Sequence, residues 1–286
     1  MDRATSYAEI EKDLEPYFVV DAESSRVLRR VEDLWEYREL IYFLVWRAVK
    51  IRYKQTALGV LWVILQPLLM TLLFSIIFGS FAGISSDGIP YPIFTFAALL
   101  PWQIFSYALS VSSNSLVSDQ QLITKIYFPR ILVPLATILV SVLDFLIALT
   151  ILIGMMVYYQ IEVTPTIALL PVVSLFAILV ATAVGLWLSA LNVQYRDVQY
   201  IVPFLTQLWF FATPIAYPSS LIPDAWQPLY GLNPMVSVVD GFRWVLLQEA
   251  QPSHASFLIS LVVGGILFVS GVVYFYSVEQ KFADII

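Results

Sequence analysis

The chain has no cysteine among its 286 residues, which excludes disulfides and thiolate metal sites. It has one histidine, His254, so a multi-histidine metal centre or histidine proton relay is excluded too. Charge is also scarce. Only 13% of residues are charged and 59% are hydrophobic, whereas a soluble domain carries about 25% charged residues. That apolar excess needs lipid to face. No lysine follows a glycine, so the phosphate-cradling Gly-x-x-x-x-Gly-Lys-[Ser/Thr] loop is absent and ATP is not held that way. Gly-x-Ser-x-Gly is missing, and a single histidine excludes His-Glu-x-x-His. No catalytic or metal-binding residue is therefore assigned. No internal repeat is visible, which argues against an inverted-repeat carrier.

The charge that is present sits at one end. Residues 1–33 hold nine acids against five bases, with no apolar core and no small-residue cleavage site, and read as a polar, acidic cytosolic tail rather than a signal peptide. Residues 34–56 show helical spacing, with Glu36 and Glu39 early and Arg47, Lys50 and Lys54 late, in accord with the helix dipole. Two tryptophans and the basic end fit an amphipathic helix in the membrane interface; a cytosolic extension of the first span is the plainer alternative. Hydropathy then predicts six spans, at about 57–82, 91–117, 131–158, 167–191, 200–217 and 255–277. The second, rich in proline and serine, is expected to be broken or partly re-entrant. Residues 278–286 form a short C-terminal tail. The fold class expected is all-α: a polytopic membrane protein with six transmembrane helices in a permease domain over 57–277.

Fourteen of the fifteen lysines and arginines fall in the tail, the interface helix, the loops 118–130 and 192–199, and the C-terminus. By the positive-inside rule both termini are cytosolic. Within the spans, Asp144 is the clear mid-membrane ionisable residue. It has no basic partner in any span, and Thr137, Ser141 and Ala148 share its face, which favours structural hydrogen bonding over a proton pathway. Small residues recur every fourth position at Ala177, Ala181, Gly185 and Ser189, and again at Ser256, Ser260 and Gly264. Such spacing fits either a compact bundle or a dimer seam. Residues 218–254, with prolines at 218, 223, 228 and 234 and a short amphipathic helix from Met235 to Gln248, read either as a re-entrant, gate-like outer structure or as a plain outer loop.

Several segments carry a resemblance. They are Arg-Tyr-Lys-Gln-Thr-Ala-Leu-Gly-Val-Leu-Trp (52–62) with Gln66-Pro67-Leu68, Leu-Ile-Thr-Lys-Ile-Tyr-Phe-Pro-Arg (122–130), Asn-Val-Gln-Tyr-Arg-Asp-Val (192–198), Thr-Pro-Ile-Ala-Tyr-Pro (213–218), Asn233-Pro234-Met235 and Phe242-Arg243. In this order the chain resembles the permease subunit of type-2 ABC exporters of polysaccharides, the group that moves O-antigen, teichoic acid and capsule chains. The resemblance implies a homodimer in the bacterial inner membrane, docked on separate nucleotide-binding subunits that hold ATP and magnesium, and carrying a lipid-linked polysaccharide.

Under that resemblance, the first cytosolic loop is the ATPase-coupling element. Lys125, Tyr127, Phe128, Pro129 and Arg130 are its residues, helped by Arg52 and Lys54 and by Arg196 and Asp197 in the other loop. The alternative for these charges is topology alone, or an ion pair between Arg196 and Asp197. Candidates to line a sugar conduit at the dimer centre are Trp62, Gln66, Phe74, Trp102, Phe105, Tyr107, Gln207, Trp209 and Phe210, because aromatic faces stack on the C–H faces of sugars. Lipid-interface or core packing is their other reading. Pro214, Tyr217, Asn233, Pro234 and Arg243 are the outer-gate candidates. O-antigen is the first substrate expected, with teichoic acid and capsule chains next. The rivals are a drug or lipid ABC permease, an ion-coupled carrier centred on Asp144, and, last, a membrane enzyme.

Overall fold

The computed structural model describes residues 35–54, 59–248, 252–279 and 282. The acidic tail 1–33 and most of 278–286 lie outside these residues. Contacts divide the chain into two units, residues 1–38 and 39–286. In the first, the Arg38 guanidinium lies 5.7 Å from the Trp35 ring and donates to the Trp35 carbonyl.

The second unit is helical among the described residues. Its elements are α1 (Arg38–Lys54, beginning one residue earlier), α2 (Leu61–Phe74) continued by a π-helical stretch (Ser75–Phe81), α3 (Tyr91–Ser118), α4 (Gln120–Lys125), α5 (Leu132–Tyr158), α6 (Leu170–Gln194), α7 (Val198–Phe211), α8 (Gln227–Tyr230), α9 (Pro234–Leu247) and α10 (His254–Glu279). Among the described residues, five helical stretches are long and apolar enough to cross a membrane: Leu61–Phe81, Tyr91–Ser118, Leu132–Tyr158, Pro165–Gln194 and His254–Glu279. The protein is a multi-pass membrane protein.

Two expectations change. The second span is unbroken and central: α3 runs 28 residues through Pro101, with Ile93 to Trp102 all buried. One missing N–H does not end a helix whose neighbours pack on every side. The fifth expected span is instead the 14-residue helix α7. It stops at Ala212, just before Pro214 and Pro218, and at 1.5 Å per residue it is about 21 Å long against a hydrocarbon thickness of about 30 Å.

Between lipid-facing helices apolar burial drives little association, so close approach and hydrogen bonds hold the bundle. The small-residue stripe of α6 is buried inside the chain against α3, which makes it an internal seam. A Cβ on Gly271 of α10 would lie 2.7 Å from the Ala183 carbonyl oxygen, so that backbone contact requires glycine; one on Gly185 would lie 2.6 Å from the Ser112 hydroxyl, which would have to rotate away. Asn192 donates from Nδ2 to the Ser113 carbonyl (2.9 Å). Trp187 donates from Nε1 to Ser270 (3.1 Å) and stacks on Tyr274 with ring centroids 4.3 Å apart. The helix expected to be amphipathic, α9, is buried on nearly all sides. Asn233 caps its start by accepting from the Met235 N–H, with Pro234 at the first turn.

Candidate functional site

The loop after α3, residues 119–131, folds as a short mounted segment. The sequence Leu-Ile-Thr-Lys allows one brief helix, α4, after which Ile126 turns extended and Pro129 blocks any continuation. Phe128 and Ile123 point inward and are buried, whereas Ile126 and Tyr127 project, Tyr127 at 81% exposure. Lys125 is exposed and Pro129 half-buried. A shallow hollow of about 260 Å³ is lined by Ile123 to Phe128 and Arg130. The Arg130 N–H donates to Glu279 Oε1 (3.0 Å), and its guanidinium donates to the Glu279 carbonyl oxygen. Lys125, Tyr127, Phe128, Pro129 and Arg130 are thus brought together. Arg196 and Asp197 are exposed at the start of α7 and, among the described residues, form no ion pair.

Arg52 does not join that segment. It turns inward with Tyr53: its guanidinium pairs with Asp144 (2.6 Å) and lies 3.8 Å over the Tyr107 ring, and the Tyr53 hydroxyl donates to the same carboxylate. Asp144, which no span supplies with a base, receives one from α1. Burial first, and then the Asp144 hydrogen bond, hold the Tyr53 hydroxyl well above the ordinary tyrosine range, so it stays a donor. Arg47, one and a half turns earlier on α1, pairs with Asp119 at the end of α3. Between these two tethers lies a cleft of about 490 Å³, with Leu44, Ala48 and Ile51 on one wall and Tyr107, Ser110 and Asn114 on the other. Lys54 faces outward.

The conduit candidates separate into two groups. Phe74, Trp102 and Phe105 are buried in the chain's own core, with Trp209 and Phe210 half-buried against them. Phe105 and Trp209 meet edge to face at 4.9 Å, as do Trp102 and Phe210 at 5.4 Å. Trp62, Gln66 and Gln207 are exposed, and Tyr107 is half-buried beneath Arg52.

At the opposite end of the bundle, the chain after α7 has irregular backbone that must be satisfied by side chains. Arg243 does this from full burial. Nε donates to the Phe94 carbonyl (3.3 Å), Nη1 to that of Tyr217 (3.3 Å) and Nη2 to that of Ile215 (2.9 Å), with the guanidinium 3.5 Å over the Phe94 ring. Asn233 donates to Ala212 and Thr213 and accepts from Trp209 Nε1 (2.8 Å). Tyr91 donates to the Ala216 carbonyl (2.5 Å), and Tyr217 shares a 2.8 Å bond with Tyr230. Burial, followed by that bond, raises the Tyr230 hydroxyl above its ordinary range. Pro214 and Pro234 are buried within this cap. Sequence reasoning missed Glu279, Asp119 and Asp240, the last of which accepts from Ser219 (2.7 Å). None has a local pattern that announces its partner.

A family model for ABC-2 type transporters matches residues 39–247. The chain belongs to that family. This ABC-2 chain is 32% identical over 261 residues to an O-antigen export system permease protein RfbA of Myxococcus xanthus, covering 90% of itself and 99% of the relative. It is 28% identical over 251 residues to an O-antigen export system permease protein RfbA of Klebsiella pneumoniae, covering 87% and 95%. It is also 28% identical over 221 residues to a polysialic acid transport protein KpsM of Escherichia coli, covering 75% and 82%. The ABC-2 match includes the mounted segment, the Arg52–Asp144 pair and Arg243; Glu279 falls beyond its end.

Proposed function

We propose that this chain is the permease subunit of an ATP-driven exporter of a lipid-linked polysaccharide, O-antigen first among the candidates. The observation that carries the reading is near full-length similarity to a permease named for O-antigen export. Two copies form the translocating unit in the bacterial inner membrane, with both termini cytosolic. Each docks on a separate ABC-type ATPase that binds ATP and magnesium, and the permease chain itself does no hydrolysis. The exposed Ile126 and Tyr127 give that subunit an apolar knob, with Lys125 beside it and Arg196 and Asp197 as secondary contacts. Arg52 acts on the bundle side, passing movement of α1 to α5 through Asp144. Exposed Trp62, Gln66 and Gln207 are the surfaces offered to a sugar chain. Phe74, Trp102, Phe105, Trp209 and Phe210 back them, reaching the conduit only when the bundle opens. Tyr107 serves beneath Arg52. Pro214, Tyr217, Asn233, Pro234 and Arg243 close the outer end.

A second reading, export of an acidic capsule-type chain, is favoured by the polysialic acid relatives. The test is capture of the tagged protein from its native membranes with mass spectrometry, paired with export of labelled glycan in cells lacking the chain. A stoichiometric ABC ATPase, and O-antigen export restored by the intact chain, is the expected result. No ATPase in mild detergent refutes the reading and favours an ion-coupled carrier centred on Asp144.

A further inference from the structure

The mounted segment has two faces, one free and one fastened. The free face carries Ile126 and Tyr127. The fastened face ends on Arg130, and there the contact is to the last span. We propose that Glu279 is a positioning residue that locks the coupling segment to the end of α10, so that force applied at Tyr127 is delivered to α10 and, through it, to α6. This rests on the docking role given to the segment above.

Three observations carry it. Arg130 meets Glu279 through main chain on both sides: its own N–H reaches Oε1 at 3.0 Å, and its guanidinium reaches the Glu279 carbonyl oxygen. A pair that only neutralised charge would not use backbone at each end. Glu279 is also the last residue of α10, where carbonyls lack intrahelical partners and an acid opposes the helix dipole. Arg130 answers both: its guanidinium caps the Glu279 carbonyl, and its main-chain N–H gives the carboxylate a donor. Beyond the helix end, Phe282 is fully buried against Phe275, with ring centroids 5.4 Å apart.

The fastening continues into the bundle. Trp187 of α6 stacks on Tyr274 and donates to Ser270, and the backbones of the two helices touch at Gly271. Packed elements of this kind move as bodies rather than deforming. The segment is also continuous with α3 before it and α5 after it. Without the Glu279 side chain the guanidinium bond to the main-chain carbonyl is a looser hold on α10; with it, the last span moves with those two helices.

The experiment compares Glu279→Gln, Glu279→Ala and Phe282→Ala in the full complex, reconstituted in vesicles with its ATPase, with Tyr127→Ala alongside. Gln keeps a side-chain oxygen for the Arg130 N–H and Ala keeps none, while both keep the main-chain carbonyl that the guanidinium reaches. Co-purified ATPase, ATP hydrolysis and glycan exported per ATP are the three readouts. The expected result is that Glu279→Ala retains the ATPase and hydrolyses ATP, while export per ATP falls about fivefold or more. Phe282→Ala falls in the same direction, and Glu279→Gln stays within about twofold of the parent. A Glu279→Ala complex exporting at the parental ratio overturns the proposal. So does one that loses its ATPase, because the contact would then shape only the docking face. If Tyr127→Ala keeps the ATPase and full export, it is the docking role that fails.

Discussion

The tether between Arg52 and Asp144 gives the sharpest quantitative test. Their N···O separation is 2.6 Å, and at an effective dielectric of about 20 the gross attraction is about 6 kcal/mol. Most of that is offset by taking two charges out of water. The cost of removing one partner is set instead by the charge left behind, about 3–5 kcal/mol for a fully buried pair. Arg52 keeps 27% side-chain exposure, which screens it, so Arg52→Ala is expected to cost about 2–3 kcal/mol. Asp144→Asn preserves volume and an acceptor for Tyr53, and leaves the guanidinium on the Tyr107 ring, a contact worth about 1 kcal/mol. Its cost is therefore expected to be lower, about 1–2 kcal/mol. The double variant discriminates. If the two side chains act as one unit, its cost falls short of the sum of the single costs by about 1.5 kcal/mol or more. Equilibrium unfolding in mixed lipid–detergent micelles, followed by tryptophan fluorescence, measures all three. Additivity within about 0.5 kcal/mol refutes the tether. Export should survive Asp144→Asn at reduced level, and complete loss of activity in a normally folded Asn variant would point to proton chemistry.

Three further outcomes follow from the geometry. Arg243→Ala leaves three carbonyls and the Phe94 face without their partner, and is expected to cost about 3–5 kcal/mol. Loss of the monodisperse peak in fluorescence-detected gel filtration reads this out, and Arg243→Lys, with no planar fork, should recover little of it. Gly271→Ala sets a methyl 2.7 Å from the Ala183 carbonyl oxygen and should destabilise by about 1–3 kcal/mol, seen as a lower melting temperature in lipid nanodiscs. Tyr127→Ala removes an exposed ring. It should shift stability by no more than about 0.5 kcal/mol while abolishing capture of the ATPase.

Hydropathy carries most of the fold because a run of about 20 apolar residues is a local signal. The expected spans at 91–117 and 131–158 agree with α3 and α5 to within a residue or two at each end. The fifth span departs because apolar composition continues through Thr213 to Pro218 after helical hydrogen bonding has stopped. Composition does not register that Arg243, arriving from about thirty residues later, replaces those bonds. The mounted segment 122–130 is legible in sequence because it is contiguous. The Tyr53–Asp144 bond spans 91 residues and the Arg130–Glu279 contact 149, so no periodicity can pair them. The conduit candidates show the converse: Phe105 and Trp62 look alike in composition, and only packing separates a core ring from an exposed one.

The brevity of α7 has a consequence for the surrounding bilayer. Its neighbour α3 is 28 residues long and α7 is 14, lengths of about 42 and 21 Å. Lipid lying directly against α7 would have to thin by about 9 Å to match it, at a fraction of a kcal/mol for each ångström. Tyr200, Phe204, Leu208 and Phe211 all face outward from this helix, so the strain would fall on the acyl chains they touch. Any protein surface that covers the helix removes the strain at once. Hydrophobic mismatch alone therefore sets a preference for assembly at this face, and that preference should strengthen in thicker membranes and weaken in thinner ones.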